Sequence, residues 1–462
     1  MDRIAELKDF ILKVMNPCRI PPNNSQPSSI TKRPRTRISR LQVTAIGVMS
    51  ITLIGILGTG QMIAFYSGVP SSAPVMYNTE SVIVKFGADD AHIWDLRIRI
   101  ANATSRILFE PDSICIVRCD SGGYALACPI RCQKNGLKTW GVLLCGIDDV
   151  GEIIWKQVYD ELDIELELSL VEVQSEGFAV AGTTRYFDEG SNNWIRQVFI
   201  IRTNSIGSPQ WVHSYTELTG VKGHSLVACG NGDLAIVGTT EIHSNITSNA
   251  MLARINENGS FLWKTPLGSS LNDEGNSLIE YSDAGFIVVG STQVDYNDKD
   301  VFLSRTAANG SVIWNKTYDD NGISVGWSIC SVDNGRFAVT GLREQSSRDT
   351  SKTLFMIVDS SGSIKTRRAL HYDSSIYVYG YYDHCCGHSI VKQNGKGLLI
   401  AGIVRYNQWI DEWGMMILRT DSGGKILSNF TYGENSQYVA CSIVVCENQG
   451  YAVAGVSVSP VG

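Results

Sequence analysis

The sequence predicts an all-β fold, a seven-bladed β-propeller closed by a blade that the N- and C-terminal segments share, preceded by a single transmembrane helix. Three observations lead to this prediction. Short apolar runs punctuated by Asp, Asn and Gly recur about every 50 to 60 residues. Half of one repeat stands at each end of the repeated region, and an uncharged run of 41–66 precedes it.

The most regular repeat spans residues 275–320 and predicts four short strands. Its apolar runs 277–281, 286–290, 301–306 and 312–318 are rich in Val, Ile and Phe and are separated by turns with Asp, Asn and Gly. This pattern is typical of strands joined by hairpins. Residues 295–300 partly match a calcium loop but lack its Gly and its distal Glu, so the sequence does not favour a calcium site there.

Two markers fix the register of the repeats. The first marker is a Ser near the start of the first strand, nine residues before the first residue of the second strand. Cys115 occupies this position in one further copy. The Ser positions are Ser169, Ser225, Ser277, Ser328, Ser389 and Ser442. A Trp marks the fourth strand at Trp155, Trp211, Trp263 and Trp314, and Thr366 and Ser428 occupy that slot in two other copies.

The two ends of the repeated region complete one another. Residues 84–96 align without gaps on 253–265, which places Trp94 in the Trp slot. The N-terminal segment therefore supplies strands three and four of a blade whose strands one and two are C-terminal. Such sharing pairs strand edges that would otherwise be exposed, as expected of a closed ring rather than of an open solenoid.

Composition and charge divide the chain into a basic head and an acidic body. Hydrophobic residues make up 44% of the chain, and there are 44 Gly. Up to residue 40 there are nine Lys or Arg and three Asp or Glu, whereas the whole chain has a net charge of -7. The large domain is therefore acidic, which argues against nucleic acid as its partner.

The N-terminal segments predict a membrane anchor. Residues 1–40 form a basic tail, 41–66 are long enough to span a bilayer, and 67–78 form a linker to a propeller at 79–461. The positive-inside rule keeps the basic tail in the cytoplasm, so the propeller is expected outside the cell. A cleaved signal peptide is the rival interpretation, but no small-residue cleavage site follows the apolar run.

Sequons and cysteines agree with an extracellular body. Six N-x-S/T sequons follow the predicted anchor, at Asn102, Asn245, Asn258, Asn309, Asn315 and Asn429. Eleven of the 12 cysteines also follow it, and an exported compartment permits disulfides. Cys119 and Cys446 hold equivalent positions in blades one and seven, which predicts a bond between them. Pairing of Cys128 or Cys132 with Cys145 is an alternative.

The repeat resembles that of cell-surface β-propeller proteins of bacteria and archaea. The shared features are the strand with a Gly at its end, as in 286–290, and the Trp strand that follows a turn. Residues 258–263 are also distantly similar to the tryptophan-docking repeat of quinoprotein propellers. The resemblance implies a propeller fold but no particular activity, because propellers host many unrelated functions.

The strand order predicts two unlike faces. Connections between strands two and three, and between blades, are long and variable and form the long-loop face, where binding is expected. Turns between strands one and two, and between three and four, form the short-turn face. The repeated Ser residues are expected near the channel mouth. The favoured explanation is that the converging first strands require a small residue there. A ring of Ser hydroxyls that binds a ligand is the alternative.

The connection into blade six, residues 377–388, has the most unusual composition. It brings Tyr382, Asp383, His384 and His388 towards the channel mouth, together with adjacent cysteines. His and Cys can bind zinc or copper, which makes His384 and His388 weak metal candidates. A disulfide from Cys385 or Cys386 to Cys441 is a simpler expectation, because the spacing matches no standard metal motif.

Two loops of the long-loop face combine aromatic and acidic residues. They contain Tyr186 and Trp194 in blade two, and Tyr406, Trp409 and Trp413 in blade six. Exposed aromatic side chains beside carboxylates suit sugar stacking or a protein hot spot. Packing of the same side chains over the blade tops is the alternative.

These patterns predict a membrane-anchored extracellular module for binding or adhesion to protein or glycan ligands. No sequence motif of a catalytic site appears, and no cofactor is expected. An exported hydrolase or oxidoreductase with its centre at the channel mouth is the alternative function, so the sequence favours a binding protein without deciding against an enzyme.

Overall fold

The computed structural model divides the chain into two compact units, residues 1–71 and 72–462. In the second unit it describes 77–103, 114–134, 137–174, 177–190, 192–240, 248–269, 271–295, 298–320, 322–345, 351–371, 384–407, 412–433, 437–447 and 449–460. In the first unit it describes Gly55–Ile56 and Met62–Ile63, which pair antiparallel. The predicted helix 41–66 otherwise lies outside the described residues. Within them, no helix has the length and apolar character needed to cross a membrane.

The second unit is built almost entirely of strands, which confirms the predicted all-β class. The strands form antiparallel groups of four that follow one another along the chain and are called blades here. A parallel pair, Lys299 with Ile323, joins the groups at 272–318 and 322–370 into one eight-stranded sheet. Blade one contains Cys115–Arg118, Tyr124–Lys134, Leu137–Ile147 and Ile153–Tyr159. Blade two contains Ile164–Glu172, Phe178–Asp188, Asn193–Thr203 and Pro209–Thr219. Blade three contains Val221–Ala228, Leu234–Thr240, Ala250–Ile255 and Phe261–Leu267.

The next three blades repeat this plan. Blade four contains Asn272–Glu280, Phe286–Asp295, Asp298–Thr306 and Val312–Tyr318. Blade five contains Gly322–Val332, Arg336–Gln345, Ser351–Val358 and Ile364–Leu370, with a short 3-10 turn at Asp333–Gly335. Blade six contains His384–Gln393, Gly397–Asn407, Glu412–Thr420 and Ile426–Tyr432.

Blade seven joins the two ends of the second unit. Gln437–Val445 and Tyr451–Pro460 supply its first two strands, and Tyr77–Phe86 and His92–Ala103 supply the others. The register runs without a shift from the pair Tyr77 and Pro460 to the pair Phe86 and Tyr451. A strand near the start of the unit therefore completes a sheet whose other half lies at its end.

Apolar layers hold each blade against the next. In the described residues, seven clusters of buried side chains each lie between two successive blades. One of them contains Ile83 of blade seven together with Tyr124 and Leu126 of blade one, so the last blade packs on the first. Burial of apolar surface at these layers is the main favourable contribution to folding.

The Trp of the fourth strand packs on the turn of the following blade. The indole Nε1 of Trp211 donates to the carbonyl of Glu257 at 3.3 Å, and Trp94 and Trp314 make the equivalent bond one blade ahead. Gly310 has a φ of +82°, and a Cβ there would lie 2.7 Å from the ring of Trp263. Glycine is therefore required in this turn both by its backbone conformation and by the ring.

The repeated Ser links the first strands of two neighbouring blades through a hydrogen bond, which we call a joint. Its hydroxyl accepts the backbone N–H of the first strand of the following blade: Leu226 N–H binds Ser169 at 2.9 Å. Equivalent contacts join Ser328 to Ile390, Ser389 to Ile443 and Ser442 to Ile116. In blade one the thiol of Cys115 donates to the carbonyl of Leu168 at 2.8 Å. These contacts support the structural role that the sequence favoured for this position.

Candidate functional site

Three exposed aromatic side chains lie at the tip of the long hairpin of blade two, on the long-loop face. Tyr186, Phe187 and Trp194 are 41%, 45% and 59% exposed. Phe187 and Trp194 are cross-strand partners, and their rings meet edge to face with centroids 5.6 Å apart. We call this group the aromatic tip. Such exposure is unusual for large aromatic side chains and marks a surface suited to binding.

Charged neighbours hold the aromatic tip in place. The guanidinium of Arg185 lies 5.1 Å from the centre of the Trp194 ring, a cation–π contact. The Nε of Arg185 donates to the carboxylate of Asp163 at 3.1 Å. The Trp194 ring is therefore oriented by a chain of contacts that begins at the first strand. This arrangement offers a flat apolar ring beside groups that accept and donate hydrogen bonds.

The second predicted aromatic loop is described only in part. Tyr406 lies near the end of Gly397–Asn407, and Trp409 lies outside the described residues. Trp413 is half-buried in the third strand of blade six and pairs across the hairpin with Arg405. The structure therefore places Tyr186 and Trp194 at the tip of one hairpin, with the Tyr186 side chain on the opposite face from those of Phe187 and Trp194. It places Trp413 in a different blade.

The first strand of blade six contains the predicted His residues. His384 begins this strand, whereas Tyr382 and Asp383 lie outside the described residues. His388 is 5% exposed, and its Nδ1–H donates to the carbonyl of Ala440 at 2.7 Å. It sits at a β-bulge, because the register shifts between Gly387 and Ser389. The bulge directs the imidazole against blade seven.

The surroundings of His388 keep its ring neutral. Burial lowers the pKa of His388 to about 4, although the bond to Ala440 raises it. The Nε2 faces the Cys386 thiol at 3.5 Å, and the Trp327 ring packs edge to face on the imidazole with centroids 5.1 Å apart. Burial also raises the pKa of Cys386. Neither group is therefore an ionised base or nucleophile at neutral pH.

No group of three His, Cys, Asp or Glu side chains in the described part of the chain is placed to hold a metal ion. Within the same residues, His388 has a single sulfur neighbour, the Cys386 thiol. The side chain of His384 is outside what the structure describes. The weak metal prediction for His384 and His388 therefore stays a prediction.

The described cysteines are free thiols, in contrast to the predicted disulfides. Cys119 lies in the apolar layer between blades one and two, whereas Cys446 lies between blades seven and one, where its sulfur contacts the Tyr124 hydroxyl at 2.9 Å. Cys385 and Cys441 also lie in different layers. Cys119 and Cys446 thus face different layers although their positions in adjacent blades are equivalent, and Cys385 and Cys441, whose positions are not equivalent, also face different layers.

The remaining predicted disulfide partners also keep their thiols. Cys128 and Cys145 share the layer between blades seven and one, and Cys386 contacts His388. The thiol of Cys132 donates to the carbonyl of Ile130 at 3.6 Å. The locking bond that the sequence predicted at the junction of blades seven and one is thus replaced in the structure by apolar packing.

Carboxylates gather where blade four meets blade five on the long-loop face. Asp300 is 5% exposed, and its Oδ1 and that of Asp298 have no hydrogen-bond partner among the described residues. Burial, followed by the charges of Asp319 and Asp298, raises the pKa of Asp300 to about 6. The side chain is therefore held in a site that favours its neutral form.

We expect Asp300→Asn to stabilise the protein at pH 7 by about 1–2 kcal/mol. The native pKa of Asp300 is about 6, above the unfolded value of about 3.9. The native state therefore binds the additional proton, and the Asp300 contribution to stability falls as pH rises from about 4 to about 6. Urea denaturation of both proteins at pH 4, 5, 6 and 7 measures this change. Parallel pH profiles of the two proteins would contradict the assignment.

A cleft of about 620 Å³ lies on the short-turn face, where turns of blades five, six and seven meet. Its lining includes Lys392, Lys396 and Arg419. Lys392 pairs with Asp333 at 2.6 Å, and Lys396 donates to the carbonyl of Ala88 at 3.2 Å. Sequence reasoning missed this cleft because its residues come from turns far apart in the chain. The basic residues beside the Gly395 turn were its only local signal.

The sequons lie on the short-turn face and on outer strands. Asn258 and Asn309 lie in turns between strands three and four, as predicted. Asn102, Asn315 and Asn429 lie on the fourth strands of blades seven, four and six. Asn245 lies outside the described residues. None of the five described sequons lies at the aromatic tip.

Comparisons with known proteins give only distant likenesses. No protein-family model and no curated protein matches the sequence. A Dyadobacter fermentans protein of unknown function is similar at 11% identity with a TM-score of 0.43, covering 76% of this chain and 97% of that one. The propeller of the Pyrococcus furiosus trilobed protease is similar at 9% identity with a TM-score of 0.41, covering 69% and 82%.

The WD40 domain of Neurospora crassa Pan2 is a further similar structure, at 10% identity with a TM-score of 0.38, covering 71% of this chain and 87% of that one. These identities and scores are too low to transfer any property of those proteins to this chain.

Proposed function

We propose that this chain is a seven-bladed β-propeller that binds a protein or glycan ligand through its long-loop face, tethered to a membrane by residues 41–66. The aromatic tip carries the proposal, because Tyr186, Phe187 and Trp194 are exposed together at one end of blade two. Binding surfaces of propellers are built from the loops that the rigid blades position.

Two features support a closed ring of seven blades. Apolar layers lie between all successive blades, including blade seven and blade one. The Ser442 joint from blade seven to Ile116 of blade one has the same form as the joints between other blades. A closed ring gives a rigid platform, so the aromatic tip requires little ordering when it binds.

The chemistry of the aromatic tip suits a sugar ring or an apolar protein side chain. The Trp194 ring is fixed by Arg185 and Phe187, and one part of it faces solvent. A fixed ring loses little conformational freedom on binding. The Arg185 guanidinium beside the ring and the Asp163 carboxylate that it contacts provide the polar groups that select an orientation.

The tether and its topology are supported by sequence features alone. The uncharged run 41–66 follows five basic residues in 31–40, and six sequons follow it, whereas one, at Asn23, precedes it. A propeller outside the cell agrees with sequons on the short-turn face and the outer strands, since glycans there leave the aromatic tip accessible. Carbonate extraction of membranes followed by protease protection tests both the anchor and its orientation.

We expect Trp194→Ala to weaken ligand binding at least tenfold, and Tyr186→Ala to weaken it less. Removal of an exposed aromatic anchor typically costs about 1–3 kcal/mol of binding free energy. Glycan arrays and pull-downs with the full-length chain identify the ligand, and titration of each variant with that ligand measures the change.

Ile206→Ala is the matched control, because Ile206 is 55% exposed but lies in a turn on the opposite face of the same blade. It is expected to bind as the native chain does. Equal loss of binding in Ile206→Ala and Trp194→Ala, or undiminished binding by Trp194→Ala, would show that the ligand binds elsewhere.

A further inference from the structure

Buried oxygen atoms without hydrogen-bond partners gather at the long-loop end of blade four. Among the described residues these atoms include the Oγ1 of Thr292 and the Oδ1 of Asp273, Asp298 and Asp300. Thr292 and Asp273 are fully buried, and Asp300 is 5% exposed. Buried polar atoms are nearly always hydrogen-bonded, because leaving one without a partner is costly. This group of oxygens therefore calls for a partner from outside the chain.

The sheet places three of these side chains in one row. Thr292 of the second strand stands directly opposite Asp273 of the first strand and Asp300 of the third. Both ladders are regular at these pairs, and the nearest register shift lies closer to the hairpin tip. Residues directly opposite each other share one face of a sheet, with Cβ atoms about 4.5–5.5 Å apart. The Thr292 side chain therefore lies between two carboxylates.

Asp298 adds a further carboxylate to the third strand. It begins this strand, two residues before Asp300, and the register shift near the hairpin tip adds a residue to the second strand rather than to the third. Burial, and then the charges of Asp319 and Asp298, raises the pKa of Asp300 to about 6, whereas the charge of Arg367 acts in the opposite sense and more weakly. The Asp298 and Asp300 carboxylates therefore lie close enough to repel each other.

The neighbouring cations of the chain are engaged elsewhere. Lys299 pairs with Glu274 at 3.1 Å, and two arginines of blade five pair with Asp320. Within the described residues no Lys or Arg forms an ion pair with Asp298 or Asp300. A buried charge requires a partner, so these two carboxylates favour a bound cation.

The oxygen atoms of this row match the ligand preferences of a hard divalent cation, which binds carboxylate and hydroxyl oxygens. Asp298 is half-buried, so water can reach the ion and complete its coordination. Two carboxylates and one hydroxyl differ from the groups of three His, Cys, Asp or Glu that the described residues lack. Calcium accepts irregular sets of about six to eight oxygens, whereas magnesium requires a near-ideal octahedron. Calcium is therefore the better match.

We propose that Thr292, Asp298 and Asp300 bind a calcium ion. The ion neutralises two carboxylates that otherwise repel each other and gives the Thr292 hydroxyl oxygen a partner. It also fastens the hairpin tip, where Asp298 lies, to the buried part of the blade. Because only two ligands are charged, we expect a Kd on the order of 10⁻³ M, in the range of extracellular calcium modules. The site lies in a different blade from the aromatic tip, so it is tested without the ligand of that surface.

Thermal unfolding of the full-length chain measures calcium binding. The chain, in mild detergent, is treated with a chelator, dialysed and heated at about pH 7.5 with CaCl2 from about 0.1 to about 20 mM. The melting temperature is expected to rise by about 1–3 °C at about 10 mM. NaCl at equal ionic strength controls for screening of the acidic surface, and MgCl2 is expected to have a smaller effect.

Substitutions of similar shape locate the ion. Asp298→Asn and Asp300→Asn should each weaken calcium binding at least tenfold, and Thr292→Val, which removes the hydroxyl, should weaken it several-fold. Glu257→Gln is the matched control, because it removes an exposed carboxylate in a turn on the opposite face and should leave binding unchanged. In chelator, Asp300→Asn should melt no lower than the native chain, because it relieves the repulsion. Its loss of the calcium response is therefore separate from unfolding.

Three results would overturn the proposal. A native chain whose melting temperature responds equally to CaCl2 and to NaCl of the same ionic strength would show that water alone partners these oxygens. An unchanged calcium response in Asp300→Asn would place the ion elsewhere on the acidic surface. Calcium binding by Thr292→Val equal to that of the native chain would contradict the hydroxyl ligand.

Discussion

A chain that ends after residue 436 is expected not to fold. The deletion removes Gln437–Val445 and Tyr451–Pro460, so Tyr77–Phe86 loses its ladder of partners along the whole strand. It also removes one side of two apolar layers, against blade six and against blade one. We expect an aggregating or protease-sensitive product without a cooperative melt, because the deletion exposes a strand edge and two apolar layers.

A chain that ends at Pro460 is the control for this deletion. It lacks Val461 and Gly462 but keeps both strands of the C-terminal half of blade seven. Circular dichroism and limited proteolysis should not distinguish it from the native chain. A cooperative melt at the native temperature for the larger deletion would show that the shared blade is dispensable.

Asp90→Asn is expected to destabilise the protein by about 3 kcal/mol. Asp90 accepts bonds from Arg419 at 2.5 Å and from the hydroxyls of Tyr451 and Ser428 at 3.0 Å each. Arg419 is 9% exposed, so loss of its counter-charge leaves a buried cation unpaired. The free energy of unfolding from urea titrations measures the effect.

Asp89→Asn is the matched control in the same turn. Asp89 is exposed and its Oδ1 accepts a bond from the N–H of Ala91, which Asn can replace. Asp90 has a φ of +66°, and Asn tolerates this conformation, so the Asp90 variant tests the charge rather than the backbone. Equal stability of the Asp89 and Asp90 variants would exclude an essential ion pair.

Local patterns in the sequence predicted the strands well. The Ser, Gly and Trp markers each have a local physical reason: a hydroxyl that reaches the next strand, a turn with positive φ, and a ring that covers that turn. Because each marker recurs in most of the repeats, the regular copies fix the register of those that lack one, such as the copies with Thr366 and Ser428 in the Trp slot. The aromatic composition of the loop indicated Tyr186 and Trp194 as candidates but left open whether they are exposed or packed over the blade top, and the structure shows both exposed.

Contacts between distant residues and local bulges could not be predicted. Asp90 and Arg419 are more than 300 residues apart, and nothing in either neighbourhood indicates the pair. The contact of the His388 ring with Ala440 depends on a one-residue bulge that no sequence signal indicated. The cysteine pairs failed for a similar reason, since sequence equivalence between blades does not specify which layer a side chain faces.

The hydrogen bonds of the repeated Ser hydroxyls all run in one direction, from a blade to the one that follows it. The joint from Ser442 to Ile116 crosses the chain ends in the same sense. Each repeat with such a Ser therefore supplies its own hydrogen bond to the next repeat. A circular permutant opened at a turn between other strands would therefore retain the contacts of Ser169, Ser328, Ser389 and Ser442.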